Sequence, residues 1–356
     1  MISNKKINPS ISLEEIEPTS RKGVEVLKEK DDGKHIVQEL LNLNFWFLRI
    51  FGSYHRVNDH LAFKFYCILT ILLLWYNSIK AIFSFNFTWG NADKFGSVLV
   101  LNIITFIWYF LCAITSSVYF LIQSRKSKIS KFEKNYEEIF IQYEEDVDTE
   151  KKFIKKIVLI STLICFSVSI ANTILNFSAM FGSGELKSIF LQSLAPFQYT
   201  SWVNSSTSYT LFSAFTISFA GHSFMLSLSY YFNYCFLAIR LLKGFNKKFK
   251  DLVSNKEISL KEQSKLMNED AFDQLADWFL KLTSLLRCLN DCFKEFIGFV
   301  LLLTIPATFL LIWIIITWSS SCVTGLLVFV IPLWTFISIT TLLFVILVAV
   351  QVNVLV

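Results

Sequence analysis

From Phe296 to Val356 the chain carries no Asp, Glu, Lys, Arg or His. About 20 apolar residues in a helix cross the ~30 Å hydrocarbon core of a bilayer, so this run is long enough for two crossings. No soluble core of ordinary size hides such a stretch. Composition agrees: 54% of the 356 residues are hydrophobic, 37 are Phe, and only 17% are charged. Globular chains carry about 25% charge, and here too little polar surface remains to cover the hydrocarbon in water. An all-α, lipid-embedded chain is expected.

Six apolar segments are long enough to span, at about 62–85, 98–122, 156–178, 208–239, 296–318 and 322–350. The fourth runs without a proline into Arg240-Leu241-Leu242-Lys243, so its helix is drawn on to 250. The fifth is preceded by apolar residues at Leu275, Trp278, Leu282, Leu285, Leu289, Cys292 and Phe296, a stripe at steps of three and four that makes one helical face. Its helix is drawn from 268 to 318, and residues 240–295 are expected to pack as a helical bundle below the membrane. Residues 1–39 are polar and nearly balanced in charge, with no apolar run that a cleavable signal peptide needs, and read as a cytosolic tail ahead of a transmembrane domain at 40–356. The apolar run from Leu40 to Gly52 is too short to span, and its Trp46 and Arg49 suit a membrane interface.

A cytosolic N-terminus leaves only Lys80, Lys94 and Lys187 at or beyond the outer ends of the segments, and 30 of the 33 Lys and Arg inside. The sequons at Asn86, Asn176 and Asn204 then fall on or beside the outer loops as candidate glycosylation sites. A G-protein-coupled heptahelical receptor would put Arg125-Lys126-Ser127-Lys128 and the lysines from Lys151 to Lys156 outside the cell, against the positive-inside rule.

Chemistry is sparse. The seven cysteines lie mostly in or beside apolar segments and read as small buried hydrophobes, and no His pair has metal-binding spacing. No cofactor, metal, catalytic residue or nucleic-acid partner is expected, and an enzyme is not. His222, with Tyr209, Phe212, Phe215 and Phe219 leading to it, lies at membrane depth as a polar contact for a ligand or as a packing histidine. Trp313, Asn102 and Asn172 stand at similar outer depth, so these eight residues are the candidate lining of an apolar pocket. Pro306 is a candidate hinge in the fifth helix.

The inward N-terminus, Phe51-Gly52, the long fourth helix into Arg240 and Phe245-Asn246, and the stretch from Leu285 to Phe293 together resemble the insect gustatory and odorant receptor superfamily and its gustatory-receptor-like relatives. Leu289, Asn290 and Phe293 are similar to that family's pattern at the start of its fifth helix. The resemblance implies a plasma-membrane chemoreceptor subunit, assembling with identical or related subunits as a tetrameric ligand-gated cation channel. It further implies a small-molecule pocket in the outer half of the bundle, and an anchor in which Leu282, Leu285, Leu289, Asn290 and Phe293 act. In that family a seventh helix with a Thr-Tyr, five apolar residues and Gln-Phe signature lines the pore. Here Gln351 follows Thr341 by ten positions, off that spacing, so either a truncated product or a divergent member without its own pore helix is expected, and conduction by this chain alone stays open. A heptahelical G-protein-coupled receptor, a small-molecule transporter and a non-conducting accessory copy remain as alternatives.

Overall fold

The structure is a computed structural model that describes residues 36–55, 59–89, 97–124, 126–143, 146–181, 207–258, 266–317 and 327–355. It is an all-α polytopic bundle, and His35–Val356 forms one compact unit. Two short helices, α1 (Ile36–Leu40) and α2 (Asn42–Ile50), precede α3 (Leu61–Trp89), α4 (Ser97–Ser124), α5 (Lys126–Tyr143) and α6 (Val147–Phe181). Then follow α7 (Thr207–Ile258), α8 (Leu266–Thr317) and α9 (Leu327–Leu355). Six of these, α3, α4, α6, α7, α8 and α9, are long and apolar enough to cross a membrane. The chain is a multi-pass membrane protein.

Helices α7 and α8 have 52 residues each. At 1.5 Å per residue each is ~78 Å long, more than twice the hydrocarbon thickness, so both continue well past the bilayer. Helix α7 is the axis of the bundle: every residue from Ala220 to Tyr231 is buried, among them Gly221, Ser223, Ser227 and Ser229. Small side chains let neighbouring backbones approach closely where lipid supplies no hydrophobic drive for helix association. Gly221 is such a point, since a Cβ there would stand 3.3 Å from the Asn172 amide nitrogen on α6. Lipid-facing side chains lie on the outer helices, with Ile164, Leu302, Phe309 and Phe336 more than half exposed.

Helix α6 starts at Val147, ahead of the apolar segment at 156, because Asp146 accepts a hydrogen bond from the Thr149 backbone N–H at 3.1 Å and Asp148 and Glu150 occupy the first turn. The Thr149 side chain and backbone, both hydrogen-bonded to it, hold the Asp146 carboxyl below its usual range. One turn of α6 is locked to α7 by a two-pronged pair in which Arg240 donates to both Glu150 oxygens at 2.7 and 2.8 Å.

Helix α5 is absent from the sequence reading. It lies between the extensions of α7 and α8 and packs extensively on α8. The Tyr143 ring stacks on Trp278 at 4.5 Å, its hydroxyl donates to Asp277 at 2.8 Å, and Phe245 of α7 meets the edge of Trp278 at 5.4 Å. Burial and the bond to the Asp277 carboxylate push the Tyr143 phenol above its ordinary value, which keeps it a donor. Leu282, Leu285, Leu289 and Phe293 are buried in this bundle, whereas Asn290 is exposed.

Helix α2 ends in a Schellman motif. Ser53 N–H donates to Leu48 carbonyl at 2.8 Å, Gly52 N–H donates to Arg49 carbonyl at 3.1 Å, and Gly52 sits at φ +65°. That turn seats Phe45 and Leu48 against α6 and α7 and leaves Trp46 56% exposed. The six described cysteines are free.

Candidate functional site

Five helices line a cavity of about 80 Å³. Each contributes one face at helical spacing: Ile104, Trp108 and Leu111 on α4; Asn172 and Asn176 on α6; Ile217, Phe224 and Met225 on α7; Thr304, Ala307 and Leu311 on α8; Trp334, Ser338 and Thr341 on α9. Among the described residues no Asp, Glu, Lys, Arg or His lines it. The aromatic walls hold each other, with the Trp108 ring edge-on to Phe224 at 5.1 Å.

Two polar side chains on the wall, Asn172 and Ser338, are paired across helices. Asn172 accepts from the Trp334 indole N–H at 2.9 Å, bridging α6 and α9. Ser338 is 2.6 Å from the Thr308 hydroxyl, which also donates to the Thr304 carbonyl at 2.7 Å. The Thr304 hydroxyl differs: the residue is 5% exposed and its Oγ1 is buried with no hydrogen-bond partner. A buried hydroxyl left unpaired costs about 1–3 kcal/mol, so a partner that enters the cavity recovers part of that.

Below the cavity, in the direction of α5, runs a continuous aromatic and polar chain. One turn from Phe224, the Ser227 carbonyl accepts from the Tyr119 hydroxyl at 2.8 Å. Tyr119 packs edge-on to Tyr230 at 5.5 Å, the Tyr230 hydroxyl donates to that of Tyr234 at 3.2 Å, and Tyr234 donates to Glu133 of α5 at 2.8 Å. Beside it, Asn44 of α2 donates to Ser229 at 2.9 Å, and Asn233 of α7 accepts from Ser161 of α6 at 2.6 Å.

Of the eight residues expected to line a pocket, the cavity takes Asn172. Phe212, Phe215 and Trp313 are exposed and do not line it, because an aromatic at every third or fourth position suits a lipid-facing helix as well as an inner one. Phe219 packs on Phe215 and on the edge of Phe51 at 5.5 Å. His222 is buried outside the cavity, its Nδ1 at 2.8 Å from the Ser218 carbonyl and its ring stacked on Phe51 at 4.3 Å. Asn102 is buried near the cavity end of α4 and does not line it, and the Tyr209 side chain lies outside the described residues. Asn176, read as a sequon, is 4% exposed and faces the cavity. The Asn86 side chain and the whole of Asn204 lie outside the described residues. Helix α8 runs through Pro306, which sits on its exposed side.

Thr304, Trp334 and Ser338 escaped the sequence reading. The signal that finds them is the placement of Thr304, Thr308, Trp334, Ser338 and Thr341 at helical spacing within a run otherwise free of charge.

Among the described residues no group of His, Cys, Asp and Glu is arranged to hold a metal ion. A search of curated proteins returns no match to the chain. The family described as 7tm chemosensory receptor matches residues 41–355, nearly the whole described chain. A polytopic apolar bundle and a match of this extent lead to one conclusion: the chain belongs to the 7tm chemosensory receptor family.

Proposed function

We propose that this chemosensory receptor binds a small, neutral, mostly hydrocarbon molecule with one hydrogen-bonding head, seated among α4, α6, α7, α8 and α9 with its head on Thr304. The unpartnered Thr304 hydroxyl in a mostly apolar cavity carries this assignment. Size supports it. A volume of about 80 Å³ divided by 10–15 Å³ per water-sized position gives room for roughly six non-hydrogen atoms without expansion. At the ceiling of ~1.5 kcal/mol per atom, the binding free energy cannot exceed about 9 kcal/mol, so Kd lies near or above ~10⁻⁷ M. The lack of any ionised group among the described wall residues disfavours charged ligands, and the prior pairing of Asn172 and Ser338 disfavours a sugar with many hydroxyls. Asn176 on this reading is a cavity residue rather than a glycan acceptor.

The chain acts, in this proposal, as a subunit of a ligand-gated cation channel in the plasma membrane. It assembles with identical or related subunits as a tetramer and keeps its N-terminus in the cytosol, as the bias of basic residues favours. A ligand that fits one helix arrangement better than another shifts the equilibrium between them. Phe224 and Met225 meet the ligand on α7, and the chain Ser227, Tyr119, Tyr230, Tyr234 and Glu133 carries the displacement to α5 and the α8 extension.

Cells expressing the receptor are expected to load calcium on 1-hexanol, with no response to hexanoate or glucose. Thr304→Val keeps the shape and removes the hydroxyl, and should raise the half-maximal concentration by roughly 2–12-fold, the equivalent of one hydrogen bond, while Thr304→Ser stays near wild type. An unchanged Thr304→Val response sinks the head-group assignment, and silence to the whole panel sinks the channel reading. In the same cells a tag at Met1 should stain only after permeabilisation.

A further inference from the structure

A second groove, separate from the ligand cavity, opens between α4, α5 and α8 with a volume of about 400 Å³. Its floor is Ile114, Val118, Leu121 and Phe299, and its rim is Lys128, Asp291 and Glu295. The floor lies within the membrane-crossing stretches of α4 and α8. The rim lies past Ile122 on one side and before Phe296 on the other, where the charge-free run begins, which is headgroup level. Apolar floor and charged rim therefore meet at the depth where a phospholipid changes from tail to headgroup.

The rim carries both signs. Lys128 is held over the groove by donating one N–H to the Asp291 carbonyl at 3.3 Å, which leaves further donors on its ammonium. Asp291 is already paired with Lys294 at 3.3 Å, and among the described residues no cation pairs with Glu295. Asp291 and Glu295 are one helical turn apart, ~6 Å along α8, so the free carboxylate and the Lys128 ammonium stand on neighbouring parts of one rim.

We propose that this groove binds a zwitterionic phospholipid with a primary ammonium, a phosphatidylethanolamine. One acyl chain lies along the floor, the phosphate meets Lys128 and the ammonium meets Glu295. A headgroup with only negative charge would be set beside two carboxylates. A quaternary ammonium is held by aromatic cages, and the three rim residues include no aromatic ring. The proposal is independent of the ligand cavity.

Native mass spectrometry of the delipidated full chain, offered equal amounts of dioleoyl phosphatidylethanolamine, phosphatidylcholine and phosphatidylglycerol, tests it. The ethanolamine lipid should be retained about 1.4–5-fold over the other two, the range of one exposed ion pair. Glu295→Gln should bring its retention down to that of phosphatidylcholine, and Lys128→Gln should lower both. Both residues sit at the surface, so lipid-free unfolding midpoints should match wild type, and Val118→Trp, which fills the floor, should abolish retention of all three. Equal retention of the three lipids by wild type, preference for phosphatidylglycerol, or an ethanolamine preference that survives Glu295→Gln and Lys128→Gln would overturn the assignment.

Discussion

Replacing Phe293 by Ala should lower the unfolding free energy by about 3–5 kcal/mol. Asn290→Ala, one helical turn earlier in the same stretch, should change it by less than about 0.5 kcal/mol. Phe293 is 1% exposed and lies among Tyr119, Tyr230, Tyr231 and Tyr234, with ring centroids 6.3, 6.0, 5.3 and 5.7 Å away. Two of those rings cannot fold into the vacated space without breaking bonds, because Tyr119 is tied to the Ser227 carbonyl and Tyr234 to Glu133. A cavity that cannot collapse costs more than transfer of the ring alone. Denaturant unfolding of the purified protein in micelles measures both variants. A loss below ~1 kcal/mol for Phe293→Ala would mean that the tyrosine cluster closes over the gap and does not act as a rigid link between α4, α7 and α8.

Gly52→Ala is the second large effect, about 2–4 kcal/mol, from two causes that can be separated. At φ +65° any side chain pays ~1–2 kcal/mol for the left-handed conformation. The added Cβ would also overlap Thr70 Oγ1 and stand 2.9 Å from Thr70 Cβ, so the Thr70 side chain, α2 or the turn itself must shift. Thr70→Ala removes the nearer atom, and in the double variant it should recover roughly 1 kcal/mol while the conformational part persists. Full additivity of the two substitutions, read from the same unfolding curves, would mean that the Thr70 hydroxyl contributes nothing and that the left-handed backbone and the remaining Thr70 Cβ contact carry the cost.

These two positions also mark what could be read from residues alone. The stripe from Leu282 to Phe296 was legible because its buried face repeats at helical spacing between charged residues, and Leu282, Leu285, Leu289 and Phe293 are buried accordingly. Asn290 belongs to the same short pattern but points away from the stripe, which motif matching cannot tell. Helix α5 was missed because its apolar residues are diluted by charge. Yet Phe132, Tyr136, Ile139 and Phe140 follow the same spacing and are all nearly fully buried.

Inside the membrane the rule reverses. Phe212 and Phe215 are periodic and face outward, since lipid accepts an aromatic stripe as readily as a core does. There the informative residues are the polar ones, because burying a hydroxyl or an amide needs a reason. Asn172 is a sequence candidate on that ground, and the same rule applied to α8 and α9 points to Thr304 and Ser338, which line the same cavity.

Thermal unfolding of the purified receptor with and without 1-hexanol shows whether the proposed ligand sits in the five-helix cavity. For wild type the midpoint should rise with the logarithm of 1-hexanol above Kd, equivalent to about 2.7 kcal/mol at 100 times Kd, and should rise less with hexane or hexanoate. Ala307→Phe places a ring where the cavity is lined by Ala307, between Thr304 and Leu311. Its midpoint should be unmoved by 1-hexanol at any concentration that stabilises wild type. Equal stabilisation of Ala307→Phe and wild type would mean that the molecule is bound somewhere else and that the five-helix cavity is not its site.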